Sequence, residues 1–416
     1  YPAEALRFDD WETALRTALA MPRTGGQATS GASLLVIDEF PYLLERSPHL
    51  PSLLKLLVDE AASTAGARSA TVVVCGSALS VMSDLLSGQK PLRGRAQLDL
   101  RLGAFDYRDA RAYWGIADPL VAFHVDAILG GTPGYRNLVR TPPPAGLDDL
   151  PAWVQNEVLS PAAALYGERD YLLREDPRSR DRALFASVLA AVAQGARTQG
   201  EIGSKVGRDK NGLRHPLTVL EATGFLTKTQ DVLSPRRPLY DVADPIVRFT
   251  QAVIDPYRAE LEERDLAGVW QAAGPAFSSQ VIGPHFEHLV RVWASRYAGE
   301  RFGEPLGTVG AAVINDRDVR TRHELDLVAG PRFANLADVA TPVVVIGEAK
   351  ATNRRRTLSD LARLESIRAL LMKGGRRAEG ARLALFSLAG FDDNLVAEAT
   401  GRSDVHLLGL TDLYED

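Results

Sequence analysis

Ser33-Leu34-Leu35-Val36-Ile37-Asp38-Glu39-Phe40-Pro41 is an apolar run of strand length that ends in two carboxylates. Around it, residues 50–58 are amphipathic, Val72-Val73-Val74-Cys75 is a second short apolar run, and residues 106–114 are amphipathic again. Short apolar runs separated by helical stretches predict an open parallel sheet, which sets the fold class as α/β. Ligands of such sheets meet the carboxyl ends of the strands, so the acidic pair stands where Mg²⁺ would be held. Asp38 would bind the metal and Glu39 would orient an attacking water. The plainer alternative is a carboxylate placed at a helix N-terminus.

The 416 residues are too many for one ordinary core and predict two to four domains. At 45% hydrophobic and 24% charged, with no apolar run near the length of a bilayer span, the chain reads as globular with no membrane partner. The single Cys75 excludes an internal disulfide framework, reads as a buried core thiol, and fits a reducing, cytoplasmic setting. A net charge of −5 confines nucleic-acid contact to local basic patches. The opening Tyr1-Pro2-Ala3 has neither an initiator methionine nor a signal pattern, so a piece of a longer polypeptide is expected.

The second apolar run leads into Gly76-Ser77-Ala78, where a hydroxyl could reach a γ-phosphate. Pro91-Leu92-Arg93-Gly94-Arg95 and Gly130-Gly131-Thr132-Pro133-Gly134-Tyr135 follow, and Phe8-Asp9-Asp10-Trp11 precedes. In this order the segments resemble the archaeal-type STAND ATPases of the AAA+ class. The resemblance implies a P-loop ATPase sheet in which Asp38 and Glu39 are Walker B, Ser77 is a sensor and Arg95 faces phosphate. The chain contains no Gly-x-x-x-x-Gly-Lys-[Ser/Thr], the loop whose backbone N–H groups cradle phosphate. In the family that loop would precede Tyr1, so ATP is expected to bind the longer parent and to bind this chain weakly or not at all.

Thr141-Pro142-Pro143-Pro144-Ala145-Gly146 can propagate neither a helix nor a central strand and is read as a linker or hinge. The expected organisation is a truncated ATPase core with the start of its lid at 1–140, linker or lid helices at 141–180, a winged helix-turn-helix at 181–245, a helical connector at 246–282 and a second α/β domain at 283–416. Between residues 182 and 237, Arg182, Arg197, Lys205, Arg208, Lys210, Arg214, Lys228, Arg236 and Arg237 face only Glu201, Asp209, Glu221 and Asp231. Thr198 and Glu201 read as a capping box and Gly207 as the turn. Residues 210–223 would be a recognition helix carrying Arg214, with His215 as a surface residue, and 226–239 the wing. A weakly sequence-selective DNA surface at Lys205, Lys210 and Arg214 is one reading. A module that only packs against other domains is the other. Tyr240-Asp241-Val242-Ala243-Asp244-Pro245 matches a further motif of the same ATPase family.

In the last domain, Glu287 lies on an amphipathic helix with Phe286, Val290 and Trp293. Asp326 lies in His323-Glu324-Leu325-Asp326-Leu327-Val328, whose alternation predicts Leu325 and Leu327 on one face and Asp326 on the other. Glu348 and Lys350 end the apolar strand at 343–347 as Glu-Ala-Lys, on one face. This order resembles the PD-(D/E)XK nuclease superfamily, whose fold is restriction-endonuclease-like and whose domain the ATPase family carries at this position. The resemblance implies that Asp326 and Glu348 bind Mg²⁺ or Mn²⁺, that Glu287 assists, and that Lys350 activates water or stabilises the pentavalent phosphate. Arg354, Arg355 and Arg356, with Arg363 and Arg368, would hold DNA phosphates. The expected function is an ATP-binding, DNA-associated protein with a metal-dependent nuclease-like domain, and a homo-oligomer is possible. The alternatives are a signalling or scaffold ATPase with a non-catalytic C-terminal domain, and a DNA-binding regulator.

Overall fold

The computed structural model describes residues 7–20, 33–63, 70–175, 181–235, 238–316 and 320–415. The opening Tyr1-Pro2-Ala3 and the basic Arg236 and Arg237 of the sequence reading lie outside the described residues. The chain divides into two compact units, residues 1–102 and 103–416. The division therefore falls before the segment 130–135 and not at the prolines. Glu157, itself buried, accepts the Arg140 N–H at 2.8 Å and the Thr141 hydroxyl at 3.0 Å, and Pro144 is buried, so the proline stretch is pinned inside the second unit and is no hinge.

In the first unit, β1 (Ser33–Ile37) and β2 (Ala70–Val74) pair in parallel, Ser33 opposite Ala70 and Ile37 opposite Val74. One face of the pair, Leu35, Ile37, Val72 and Val74, packs with Leu15 of the helix Trp11–Ala20 and with Leu50, Leu54 and Leu57 of the helix Leu50–Ser63. The other face leaves Leu34, Val36 and Val73 exposed.

The second unit begins with helices whose starts the sequence marks clearly. Asp106 caps Tyr107–Trp114 and Asp118 caps Pro119–Leu129, each carboxylate accepting two backbone N–H groups of the first turn. Gly131 passes so close to Phe105 that a Cβ would stand 1.9 Å from its carbonyl oxygen, and its own carbonyl accepts the Phe105 N–H, so only glycine fits. Tyr135 donates to Asp244 at 3.1 Å, which joins two sequence segments more than a hundred residues apart.

The helix-turn-helix forms as read. Thr198 and Glu201 make the reciprocal capping box of the helix Gln199–Val206, Gly207 ends that helix at φ 68°, and Asp209 caps Lys210–Ala222. The hairpin β3 (Leu226–Gln230) and β4 (Pro238–Val242) follows, antiparallel. Its tip is engaged. Val232 donates its N–H to Ala311, Val313 donates to the Asp231 carboxylate at 2.8 Å, Arg376 donates to the Leu233 carbonyl, and a Cβ on Gly310 would meet Val232 Cγ1 at 2.4 Å.

The C-terminal sheet runs β5 (Leu306–Asp316), β6 (Thr321–Pro331), β7 (Val345–Lys350), β8 (Arg382–Ser387) and β9 (Val405–Gly409), antiparallel over the first three strands and parallel over the last three. One face packs on Phe286, Leu289, Val290 and Trp293 of the site helix (Gly283–Arg296), and the other on Leu361, Leu364, Ile367 and Leu371 of the crossover helix (Leu358–Lys373). The predicted alternation in β6 fails here. Gly310 pairs with Val328 but Ala312 pairs with Leu325, so β6 carries one extra residue, and Leu325 joins the crossover-helix core while Leu327 joins the site-helix core. Among the described residues, no helix is long and apolar enough to cross a membrane.

Candidate functional site

The bulge sets Asp326 where the β6–β7 ladder stops. Leu327 opposite Gly347 is the last pair, and beyond it the Ala349 N–H has no strand partner; the Asp326 carboxylate accepts it at 2.8 Å. Glu348 and Lys350, two apart on β7, share a face, and Lys350 Nζ stands 2.9 Å from Glu348 Oε1 and 3.6 Å from Asp326 Oδ2. Arg363 of the crossover helix reaches the same Glu348 oxygen at 3.5 Å. Glu348 is 3% exposed, and its second oxygen, Oε2, is buried with no hydrogen-bond partner.

Glu287 faces this cluster from the site helix, and Arg291, one turn further on, donates to the Asp326 carbonyl at 3.1 Å. Burial and the Asp326 charge push the Glu287 carboxyl up to about 7, against the pull of Arg291, Arg197 and Lys350. Asp326 is also raised, by burial and by Glu348, although Lys350 and the Ala349 N–H oppose it. Burial draws the Lys350 ammonium down, but Asp326 and Glu348 outweigh it, so Lys350 is raised and stays charged. Asp326, Glu348 and Lys350 are thus brought together, and Glu287 on the site helix feels the Asp326 and Lys350 charges. Among the described residues no group of three or more His, Cys, Asp or Glu side chains is close enough to hold a metal. Asp326 and Glu348 offer two carboxylates, and the unpartnered Glu348 oxygen suits a hard cation.

No family model matches the chain. It is 25% identical over 241 residues to the uncharacterized protein MJECL04 of Methanocaldococcus jannaschii, covering 55% of this chain and 51% of that protein. The chain thus spans about half the length of the relative it matches. Protein VC1899 from Vibrio cholerae, of known crystal structure, aligns over 61% of this chain and 54% of its own at 16% identity with a TM-score of 0.24, which is too remote to bear on the fold.

The basic residues divide. Arg354 and Arg355 are exposed just after β7, as a phosphate contact requires. Arg356 is 8% exposed and bonds Thr352, the Arg354 carbonyl and Asp360, and Arg368 bonds Asp404 and the Ala381 carbonyl. Both are structural, which corrects their reading as DNA contacts. Lys210 and Arg214 are exposed on one helix face, and Lys205 is exposed but donates to the Gln194 carbonyl at 3.1 Å.

In the first unit, Ser77 Oγ lies 3.3 Å from Glu39 Oε2, and Cys75 Sγ lies 3.2 Å from Asp38 Oδ1, so Cys75 is a half-buried neighbour of the acidic pair and not a core thiol. Glu39 takes φ 49° as it turns the chain from β1 into the helix Phe40–Arg46, a left-handed conformation that side chains disfavour. Arg95 does not join them. Its guanidinium forms a two-pronged pair with Asp59 at 3.1 and 3.2 Å.

Sequence reading missed Arg291, and it gave Arg363 as a phosphate contact where the structure sets it against Glu348. Arg291 was legible four residues after Glu287 on the same helix face. Arg363 reaches Glu348 only through the packing of the crossover helix on the sheet.

Proposed function

We propose that the C-terminal α/β domain is a metal-dependent phosphodiesterase acting on DNA. The observation that carries this reading is the convergence of Asp326, Glu348 and Lys350 where β6 and β7 part, with Glu287 opposite and one Glu348 oxygen buried and unpartnered. Asp326 and Glu348 would hold Mg²⁺ or Mn²⁺, which when bound lowers the pKa of water and offsets the charge that develops on phosphate. Lys350, held charged by its two carboxylates, suits the stabilisation of phosphorane oxygens better than the removal of a proton. Glu287 is the group here whose proton comes off near neutrality, which fits it to take the proton of the attacking water. Water adds to phosphorus, the bond to one sugar oxygen breaks, and a proton reaches the departing alkoxide.

Incubation with plasmid in Mg²⁺ or Mn²⁺ tests the reading. Lys350→Ala and Asp326→Asn are expected to abolish cutting, and Asp326→Asn keeps an acceptor for the Ala349 N–H. Variants that cut like wild type, or a wild type that never cuts, would sink it.

A second reading concerns the winged helix. Its wing is bound to β5 through Asp231 and Val232, and to Arg376 through the Leu233 carbonyl, which favours a packing role for the hairpin and leaves the face of Lys210 and Arg214 as its open surface. The proximity of Asp38, Glu39 and Ser77 supports a partial nucleotide site; calorimetry with ATP and Mg²⁺ should find weak or no binding, and tight binding would refute the need for a P-loop.

A further inference from the structure

Glu348 meets two cations through one oxygen. Lys350 Nζ stands 2.9 Å from its Oε1 and Arg363 Nη1 stands 3.5 Å from the same atom, while Oε2 is buried with no hydrogen-bond partner. The two cations are held differently. Lys350 extends from the same strand as Glu348 and is shared with Asp326 at 3.6 Å, so it belongs to the strand pair. Arg363 comes from the crossover helix with its side chain exposed, and its 3.5 Å approach is an ionic contact longer than an ordinary hydrogen bond. Its guanidinium has no other partner among the described residues. The arginines before and after it are tied down. Arg356 bonds Thr352, the Arg354 carbonyl and Asp360, and Arg368 bonds Asp404 and the Ala381 carbonyl.

Charge counting gives that loose contact a meaning. Asp326 and Glu348 are two acids, Lys350 and Arg363 are two cations, and the four side chains together are already neutral. A divalent ion added beside Glu348 would leave them with a positive excess. Glu348 is 3% exposed, so water does little to screen it. Lys350 cannot relieve the excess without leaving both acids, whereas Arg363 has solvent at its back and can swing away. The anion that would draw it is a DNA phosphate, which a guanidinium meets with two parallel donors.

We propose that Arg363 is a latch on the metal site: without DNA it neutralises Glu348 and weakens divalent-ion binding, and with a duplex bound it turns to a backbone phosphate and gives Glu348 up to the metal. The proposal rests on the phosphodiesterase reading, and it makes Arg363 a regulating residue with no part in breaking the bond. Metal and DNA then bind cooperatively, each raising the affinity for the other by the same factor. The crossover helix suits this task, because Leu361, Leu364 and Ile367 anchor it on the sheet and leave only the Arg363 side chain to move.

The test is calorimetric titration of Ca²⁺, which takes the same hard oxygen ligands, into the full chain with and without a short duplex, alongside plasmid cleavage in Mn²⁺. Heat that Glu348→Gln lacks reports this site. Arg363→Gln is expected to bind Ca²⁺ about ten-fold more tightly than wild type in the absence of DNA. The duplex should raise the wild-type affinity for Ca²⁺ by a similar factor and leave that of Arg363→Gln almost unchanged. Arg363→Lys keeps the charge and should stay near wild type. If wild type cuts but Arg363→Gln binds Ca²⁺ no more tightly, the latch is wrong and the phosphodiesterase reading stands. If Arg363→Gln weakens duplex binding equally in EDTA and in Ca²⁺, the residue is a plain phosphate contact and the latch is again wrong. If Arg363→Lys gains as much Ca²⁺ affinity as Arg363→Gln, the charge is not the cause and the latch falls as well. A wild type that shows no Glu348-dependent heat and never cuts overturns the underlying reading itself.

Discussion

Replacing Glu287 by glutamine should remove a pH dependence that this one carboxyl imposes on the second unit. Folding carries the group from 4.5 to about 7, chiefly by burial beside Asp326. Between those values the native state binds more protons than the unfolded chain, so stability falls as pH rises through the window and stays reduced above it. At about 1.4 kcal/mol per pH unit the whole shift amounts to roughly 3 kcal/mol. Glu287 keeps partial access to water, and screening brings the expected effect to about 2 kcal/mol. Glutamine mimics the protonated acid in shape and does not titrate. The variant should therefore match wild type near pH 4.5 and exceed it by about 2 kcal/mol at pH 8. Urea unfolding in EDTA, followed by tryptophan emission at half-unit steps of pH, measures the difference; Trp293 lies on the same helix, buried edge-on to Phe302 and Phe386. A difference that stays constant from pH 4.5 to 8 would refute the argument that burial holds the proton on Glu287.

Gly310→Val should clash with Val232, which already stands 2.4 Å from where the first added carbon would lie, and release the wing from β5; a loss of about 2 kcal/mol or more and faster proteolysis within 231–235 are the expected readings. Tyr135→Phe removes the donor to Asp244, whose carboxyl burial pushes up to about 6. The loss should be about 1 kcal/mol, and larger at pH 8 than at pH 5, because the carboxylate loses a bond that favours its charged form; equal losses at both values would contradict it. Arg356→Ala should lower the free energy of unfolding by about 2 kcal/mol without changing the salt dependence of DNA binding. The double variant Arg354→Ala, Arg355→Ala should do the reverse, lowering the salt slope by about 2 at unchanged stability.

Local signals carried most of the architecture. Thr198 and Glu201 are a capping box because both reciprocal bonds need only a spacing of three, and Gly207 ends the helix because left-handed backbone needs no partner elsewhere. The order helical Glu287, strand Asp326, Glu348 and Lys350 was legible because the helix and the two strands show in the sequence, although the alternation read for Asp326's strand did not hold. What was not legible is what depends on neighbours. Arg354-Arg355-Arg356 reads as one solvated run, yet Thr357 starts a helix whose Asp360 draws Arg356 inward. Arg95 follows a loop that looks phosphate-facing, yet Asp59 lies across from it. The strand Val405–Gly409 was missed because it is short and follows the charged Arg402-Ser403-Asp404. The bulge in β6 escaped notice because alternation assumes a constant register, and the extra residue becomes visible only when Gly310 and Ala312 are paired with Val328 and Leu325.

That bulge joins the fold to the chemistry. A strand that leaves its ladder exposes the next donor of its neighbour, and a buried N–H without an acceptor is unfavourable by about 1–3 kcal/mol. Asp326 meets the Ala349 N–H with a side-chain oxygen in place of a backbone carbonyl, and in doing so carries a negative charge to where β6 and β7 separate. Lys350 follows from that charge, since a buried carboxylate pair requires a cation, and the Glu-Ala-Lys spacing supplies one from the same face of the same strand. On the phosphodiesterase reading, the acid that ends the ladder and the acid that would hold the metal are one residue. Asp326→Ala would remove both roles at once, whereas Asp326→Asn retains the acceptor and removes the charge, so only the second substitution separates what the strand needs from what the proposed reaction would need.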